Sequence, residues 1–305
     1  MLSVANVIAV IWDCDKTLVD GYMQDPIFRK FGVDSRSFWE EVNRIPEEYE
    51  KQGIRVNRDT YYLNHFIRCA HNGTFPGLNN AMLREFGKEQ KFYKGIPDIF
   101  KSTKELLKKD PGYSEYGIQV EHYIISTGFA EVIRGSVLAE YMDGIWGCEL
   151  IEGPDSNGND VLSEVVYTID NTTKTRAIFE INKGIPKLKD IEVNSKIPKE
   201  YRRVRFENMI YIADGPSDIP AFSLVHQNGG STFAIYPKGD MDAMKQVEQM
   251  REDGRVDMYA EADYSENTTA NMWISNKILE IAERIRKKEK GKITSSASAL
   301  PRHLT

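Results

Sequence analysis

The chain has 305 residues, 41% of them hydrophobic and 28% charged, enough to bury a sizeable core as one large domain or two modest ones. Its formal charge of −6 argues against a nucleic-acid binder driven by bulk electrostatics, which needs a basic face to neutralise phosphates. No stretch approaches the roughly 20 apolar residues of a membrane span, and Cys14, Cys69 and Cys148, far apart and without CxxC spacing, suit reduced thiols in a cytoplasmic protein rather than a disulfide framework.

The first element is the apolar run from Val7 to Trp12. Such a β-branched run, with almost no polar residue, is the pattern of a strand buried on both faces of a parallel sheet. It is too short for a signal peptide and lacks a basic leader. It stops on Asp13 and Asp15, with Thr17 two residues further on. Ligands bind at the carboxyl ends of strands in such sheets. Two carboxylates buried together are costly unless they hold a cation or share a proton, although an acidic pair after a strand also serves as a helix cap or a solvated turn.

Residues 20–93 carry no buried strand and read as helices punctuated by Gly and Pro, including the aromatic run Tyr61, Tyr62, His65, Phe66, Arg68 and Cys69. Packing is the default for that run, with Arg68 and His65 as candidate substrate contacts. A helix follows Gly95-Ile96-Pro97. The second buried strand, VEHYIIST, ends on Ser126, Thr127 and Gly128, and FAEVIRGSVLAEYM resumes helical spacing. Two extended runs between 145 and 169 flank a turn-rich tip and form a hairpin. Lys174 opens a helix, KTRAIFEI, and a polar segment at 184–205 carries no motif. A third strand, NMIYIA, ends on Asp214-Gly-Pro-Ser-Asp218; a short helix, a fourth strand (STFAIYP) and a helix from about Met272 to Lys288 complete the body. Strands alternating with helices imply an α/β fold with a mostly parallel, Rossmann-like sheet. The basic, Ser-rich stretch at 289–305 is expected to be a frayed tail.

Three buried strands thus end on polar groups, and in a parallel sheet those ends share one edge. With these motifs in this order the sequence resembles the haloacid dehalogenase superfamily, and within it the phosphoserine-phosphatase-like phosphohydrolases. The matching elements are the DxDxT signature at Asp13-Cys14-Asp15-Lys16-Thr17, YIIST, the isolated Lys174, and Asp214 with Asp218. The resemblance implies a core over residues 1–19 and 94–288 with a helical C1-type cap at 20–93. Lys16 departs from it, since Gly is commoner before the motif threonine.

What the resemblance implies is a magnesium-dependent phosphohydrolase acting on a small phosphorylated metabolite, with no nucleic-acid or membrane partner. A phosphotransferase or phosphomutase using the same intermediate, or a catalytically silent binding protein on the same fold, are the alternatives. Asp13 would be the nucleophile and Asp15 the general acid and base, two roles that need carboxylates in different environments. The metal would be held by Asp13, Asp214 and the backbone carbonyl of Asp15, with Asp218 steadying that shell. Lys174, Ser126, Thr127, Gly128 and Lys16 would meet the phosphate. Each has a plainer alternative: Lys174 as a solvated surface charge, Ser126 and Thr127 as helix caps, Asp214 and Asp218 as an Asx-turn, Lys16 pointing to solvent. Cys14 alternates away from the aspartates and belongs to the core.

Overall fold

The structure, a computed structural model, describes residues 6–185, 187–188 and 191–297. Its centre is a seven-stranded sheet built from β1 (Asn6–Trp12), β2 (Ile118–Phe129), β3 (Gly144–Pro154), β4 (Asp160–Tyr167), β5 (Met209–Ala213), β6 (Ser231–Tyr236) and β7 (Met258–Glu261), in the order β4-β3-β2-β1-β5-β6-β7. All neighbours run parallel except β3 and β4, which form the antiparallel hairpin expected at 145–169. β1 lies between β2 and β5 and every residue from Val7 to Trp12 is fully buried. This accounts for its unbroken apolar sequence: neither face meets water, and each such side chain contributes roughly 1.5–3 kcal/mol by burial.

Four helices, α1 (Asp25–Phe31), α2 (Ser35–Glu50), α3 (Arg58–His71) and α4 (Asn80–Lys88), occupy residues 20–93. The side chains of Asp34, Asn57 and Asn79 cap the amino ends of α2, α3 and α4 by accepting backbone N–H groups. Phe28, Phe38, Phe66 and Phe75 form the interior of this layer, with ring centroids 4.8 to 6.2 Å apart.

Outside the sheet run α5 (Asp98–Leu106), α6 (Pro111–Glu115), α7 (Ala130–Gly135), α8 (Lys174–Lys183), α9 (Ile219–Gln227), α10 (Met241–Glu252) and α11 (Thr269–Ala297). α7 is shorter than its sequence spacing suggests, because Ser136 turns extended and caps a separate 3-10 turn. The tail also departs from expectation. Residues 289–297 continue α11, extending a helix already anchored by Ile274, Ile278, Ile281 and Ile285, since propagation adds one hydrogen bond per residue without a new nucleus. Residues 298–305 of the expected tail lie outside the described residues. No helix among the described residues is long and apolar enough to cross a membrane, and the three cysteines are free and buried.

The polar segment at 184–205 is tied down by charge. Arg203 makes a two-pronged ion pair with the buried carboxylate of Glu121 on β2, whose second oxygen also accepts from Tyr123. Lys187 reaches both Glu121 (3.0 Å) and Asp143 (2.8 Å). Burial would raise the Glu121 carboxyl, but the bonds from Arg203 and Tyr123 outweigh it and hold the group below its ordinary value.

Candidate active site

β1, β2 and β5 end side by side, so the residues that follow them meet at one edge of the sheet. The Asp13 backbone N–H donates to Ile212 of β5 at 2.9 Å, carrying the ladder one step beyond the strand. Lys174, at the first turn of α8, is 1% exposed and aims its ammonium into this edge. Its Nζ lies 2.7 Å from Asp13 Oδ1 and 2.6 Å from Asp218 Oδ1. The solvated-lysine alternative is therefore excluded.

Asp218 is fully buried, and its carboxylate is fully engaged. Oδ1 also accepts from Tyr211 Oη at 2.5 Å, and Oδ2 accepts from Ser217 Oγ at 3.0 Å. Asp214 differs: no side-chain hydrogen bond reaches its carboxylate among the described residues. Oxygens of Asp13, Asp214 and Asp218 all lie within 4.8 Å of one another. Burial raises Asp13 and Asp214 above their ordinary range; repulsion from the neighbouring carboxylates adds to this, and Lys174 only partly offsets it. Burial alone would lower Lys174, but Asp13 and Asp218 overcome that and hold it firmly protonated.

Three carboxylates, Asp13, Asp214 and Asp218, here meet one buried ammonium, so the edge carries excess negative charge. A hard divalent cation fits it: the donors are all oxygens, Asp214 has no competing partner, and Asp13 has Oδ2 free of Lys174. Asp218, with both oxygens occupied, is suited to orienting its neighbours.

Asp15 faces elsewhere. Its Oδ1 accepts from the Met23 N–H at 2.8 Å, and the residue lines a cavity of about 470 Å³ opening toward the helical layer. Burial, reinforced by the charge of Asp13, lifts its carboxyl to about 8, so it carries a proton near neutrality. The two carboxylates of the motif therefore sit in distinct environments, one beside an ammonium and one beside a cavity.

Ser126 is 1% exposed and its Oγ accepts from the Gly128 N–H at 3.0 Å. Thr127 lines the cavity with Asp15, and its carbonyl accepts from Tyr62 Oη at 2.6 Å. At Gly128 a Cβ would meet the end of the Met23 side chain, which would have to shift to admit it. Lys16 has φ of +55°, a left-handed conformation that glycine adopts at little cost and other residues do not. This explains physically why Gly is the usual residue there. Its Nζ sits 4.6 Å over the ring of Tyr22, which lines the same cavity. Cys14 is a 1%-exposed core residue, as its alternation suggested.

The helical residues singled out from sequence are not the ones at the cavity. His65 is 4% exposed and packs on Phe38, while Arg68 lies over Tyr61. Trp39, Arg58, Asp59 and Gln24 line the cavity instead. Gln24 is 3% exposed, its Oε1 has no partner, and no hydrogen bond from its amide is present among the described residues. The available sequence signal was positional: Arg58 and Asp59 follow the Asn57 cap at the start of α3, whereas His65 and Arg68 lie about two to three turns inside it.

No family model matches the chain. An uncharacterised protein of Borreliella burgdorferi is 36% identical over 287 residues, covering 90% of this chain and 97% of that one. A HAD family hydrolase from Salmonella enterica serovar Typhi superposes with a TM-score of 0.51 at 16% identity, over 84% of this chain and 67% of the other. The chain shares the fold of this haloacid dehalogenase family hydrolase. A phosphoserine phosphatase, solved as a phospho-aspartyl intermediate analogue, gives a TM-score of 0.45 at 19% identity over 82% of this chain and 91% of that one. On this haloacid dehalogenase fold, all four motif elements identified from the sequence converge on a single strand edge.

Proposed function

We propose that the protein is a magnesium-dependent phosphohydrolase that cleaves a small phosphate monoester through an aspartyl-phosphate on Asp13. The observation that carries this is the Asp13–Lys174–Asp218 chain beside an unpartnered Asp214, with Asp15 facing a cavity.

Bound magnesium would supply charge neutralisation, allowing a carboxylate to approach a phosphate dianion. Asp13, Asp214 and the Asp15 carbonyl would hold it, with Asp218 fixing Lys174 and the local geometry. Asp13 would attack phosphorus through one carboxylate oxygen, while Lys174 orients the group and helps offset charge on the transferring oxygens. Asp15 would give its proton to the leaving alcohol, then take one from the water that hydrolyses the intermediate. Ser126, Thr127 and the backbone around Gly128 would border the phosphate, with Lys16 at the mouth.

The four helices of residues 20–93 would act as the C1-type cap, covering the leaving group and excluding water. A cavity of about 470 Å³ suits a small metabolite. The test is release of phosphate from a generic aryl phosphate, with magnesium and then with EDTA, for the native protein and for Asp13→Asn. Magnesium-dependent release by the native protein and none by the variant is the expected result. Equal release under all conditions would overturn the function.

A further inference from the structure

The two basic segments that the proposed chemistry leaves unused, the end of 184–205 and the last turns of α11, come together at a second cavity. It measures about 590 Å³ and is lined by Lys199, Arg202 and Arg205 on one side and by Lys288 and Lys292 on the other. Glu200 and Glu207 are the carboxylates in its wall, so five cations face two anions in a protein whose overall charge is −6. Arg202 donates to the carbonyl of Ile197 and Lys292 to Glu289. The side chains of Lys199, Arg205 and Lys288 have no hydrogen bond or ion pair among the described residues.

A second observation is independent of charge. Asn182, at the end of α8, is fully buried in the wall of this cavity. Its Nδ2 donates to the Val204 carbonyl at 2.5 Å, but its Oδ1 has no partner. Leaving a buried acceptor unsatisfied is costly, a deficit that a donor arriving from the cavity would remove. Tyr201, 53% exposed, adds an aromatic surface at the same place.

This cavity is far from the aspartates. A smaller recess of about 130 Å³, which shares Arg205, Glu207 and Lys288 with it, is lined by Asn6 and Asn208. These residues stand at the amino ends of β1 and β5, the edge opposite Asp13. Seven residues of extended strand separate the two edges, or about 20 Å at roughly 3.3 Å per residue.

We infer that this cavity is a binding site for a nucleoside polyphosphate, separate from the catalytic edge and able to report on the cell's phosphorylated metabolites. Several cations along one cavity suit more than one phosphate. The aromatic ring suits a base, and the orphan Asn182 acceptor suits a hydroxyl or amine. The volume lies within the roughly 300–1,000 Å³ usual for small-ligand sites, which favours a small molecule over a nucleic-acid strand.

The test is calorimetric titration of the full chain with the non-hydrolysable ATP analogue AMP-PNP in EDTA, repeated with tripolyphosphate and with a single-stranded oligonucleotide. One-site binding of AMP-PNP, tighter than tripolyphosphate and weakened at least about tenfold by Arg205→Glu and by Lys288→Glu, is expected. Circular dichroism of both variants should match the native protein, since neither side chain has a partner to lose. Absence of binding would overturn the inference. So would equal affinity for tripolyphosphate, retention of affinity in both variants, or binding of the oligonucleotide alone. None of these outcomes depends on phosphatase activity.

Discussion

Lys174 Nζ and Asp218 Oδ1 are 2.6 Å apart, and neither side chain is more than 2% exposed. A pair so buried is held by its surroundings as much as it holds them, because removing one partner leaves an uncompensated charge out of water. Lys174→Met should therefore destabilise the fold by about 3–5 kcal/mol and abolish phosphate release. Urea denaturation monitored by circular dichroism measures the first effect. An unchanged midpoint would mean that Asp13 and Asp218 do not rely on the ammonium.

Asp15 faces the cavity whereas Asp13 faces Lys174, so their substitutions should fail differently. Asp15→Asn is expected to form a phospho-enzyme from an aryl phosphate with a good leaving group and to accumulate it, because hydrolysis lacks its base. Rapid-quench trapping of labelled enzyme checks this. Sustained turnover at the native rate would remove Asp15 from proton transfer.

Chelation should act without unfolding the chain. EDTA is expected to stop turnover, and added magnesium to restore it, with circular dichroism unchanged. The unpartnered Asp214 has no other role in the geometry, so Asp214→Asn should raise the magnesium concentration needed for half-maximal rate by at least about tenfold, in line with losing one carboxylate ligand. A native magnesium dependence in that variant would exclude Asp214 as a ligand.

Lys16 combines a left-handed backbone with a cation at the mouth. Lys16→Gly should leave unfolding free energy unchanged or raise it by up to about 1 kcal/mol, since a non-glycine residue pays roughly that for positive φ. The same change should raise KM for a phosphorylated substrate while kcat changes less. If KM stays at its native value, the strain at Lys16 serves nothing in binding.

His122 gives the fold a pH dependence of its own. Trp12 Nε1 donates to its Nδ1 at 3.1 Å, and Thr103 Oγ1, which itself donates to the Ile99 carbonyl at 2.6 Å, lies 2.9 Å from Nε2. This pattern fixes a neutral ring protonated at Nε2. Burial, with a smaller push from Lys104, depresses its pKa from 6.5 to about 3. Below 6.5 the unfolded chain binds a proton that the folded chain refuses. Stability from this group is thus complete above 6.5 and is lost as pH falls toward 3, with a slope approaching about 1.4 kcal/mol per pH unit. His122→Gln should remove that component from denaturation curves measured between pH 6.5 and 4.5; an identical slope would refute it.

How far the sequence revealed the site follows from how each residue is encoded. Asp13, Ser126 and Asp214 were legible because each ends an apolar run, and a parallel sheet brings such ends together. Lys174 became legible only beside the others, as a single lysine at a helix start has no local signature. α10 and β7 were passed over: β7 is four residues long with only Ala260 buried, too little for a period-two pattern to register. Arg58 and Gln24 were missed because their meaning lies in facing an empty volume, and no spacing rule encodes what a side chain fails to touch. The 184–205 segment was opaque for a similar reason, since Glu121, which anchors Arg203, lies 82 residues earlier.

The central position of β1 has a consequence for biosynthesis. Its seven residues leave the ribosome well before its partners, which follow only at Ile118 and Met209. At about 5–20 residues per second, a strand apolar from Val7 to Trp12 waits on the order of 10–40 s before its second neighbour exists. During that interval the nascent chain offers an unpaired, water-averse segment to any passing strand, so a chaperone shielding β1 would raise the yield of active protein most.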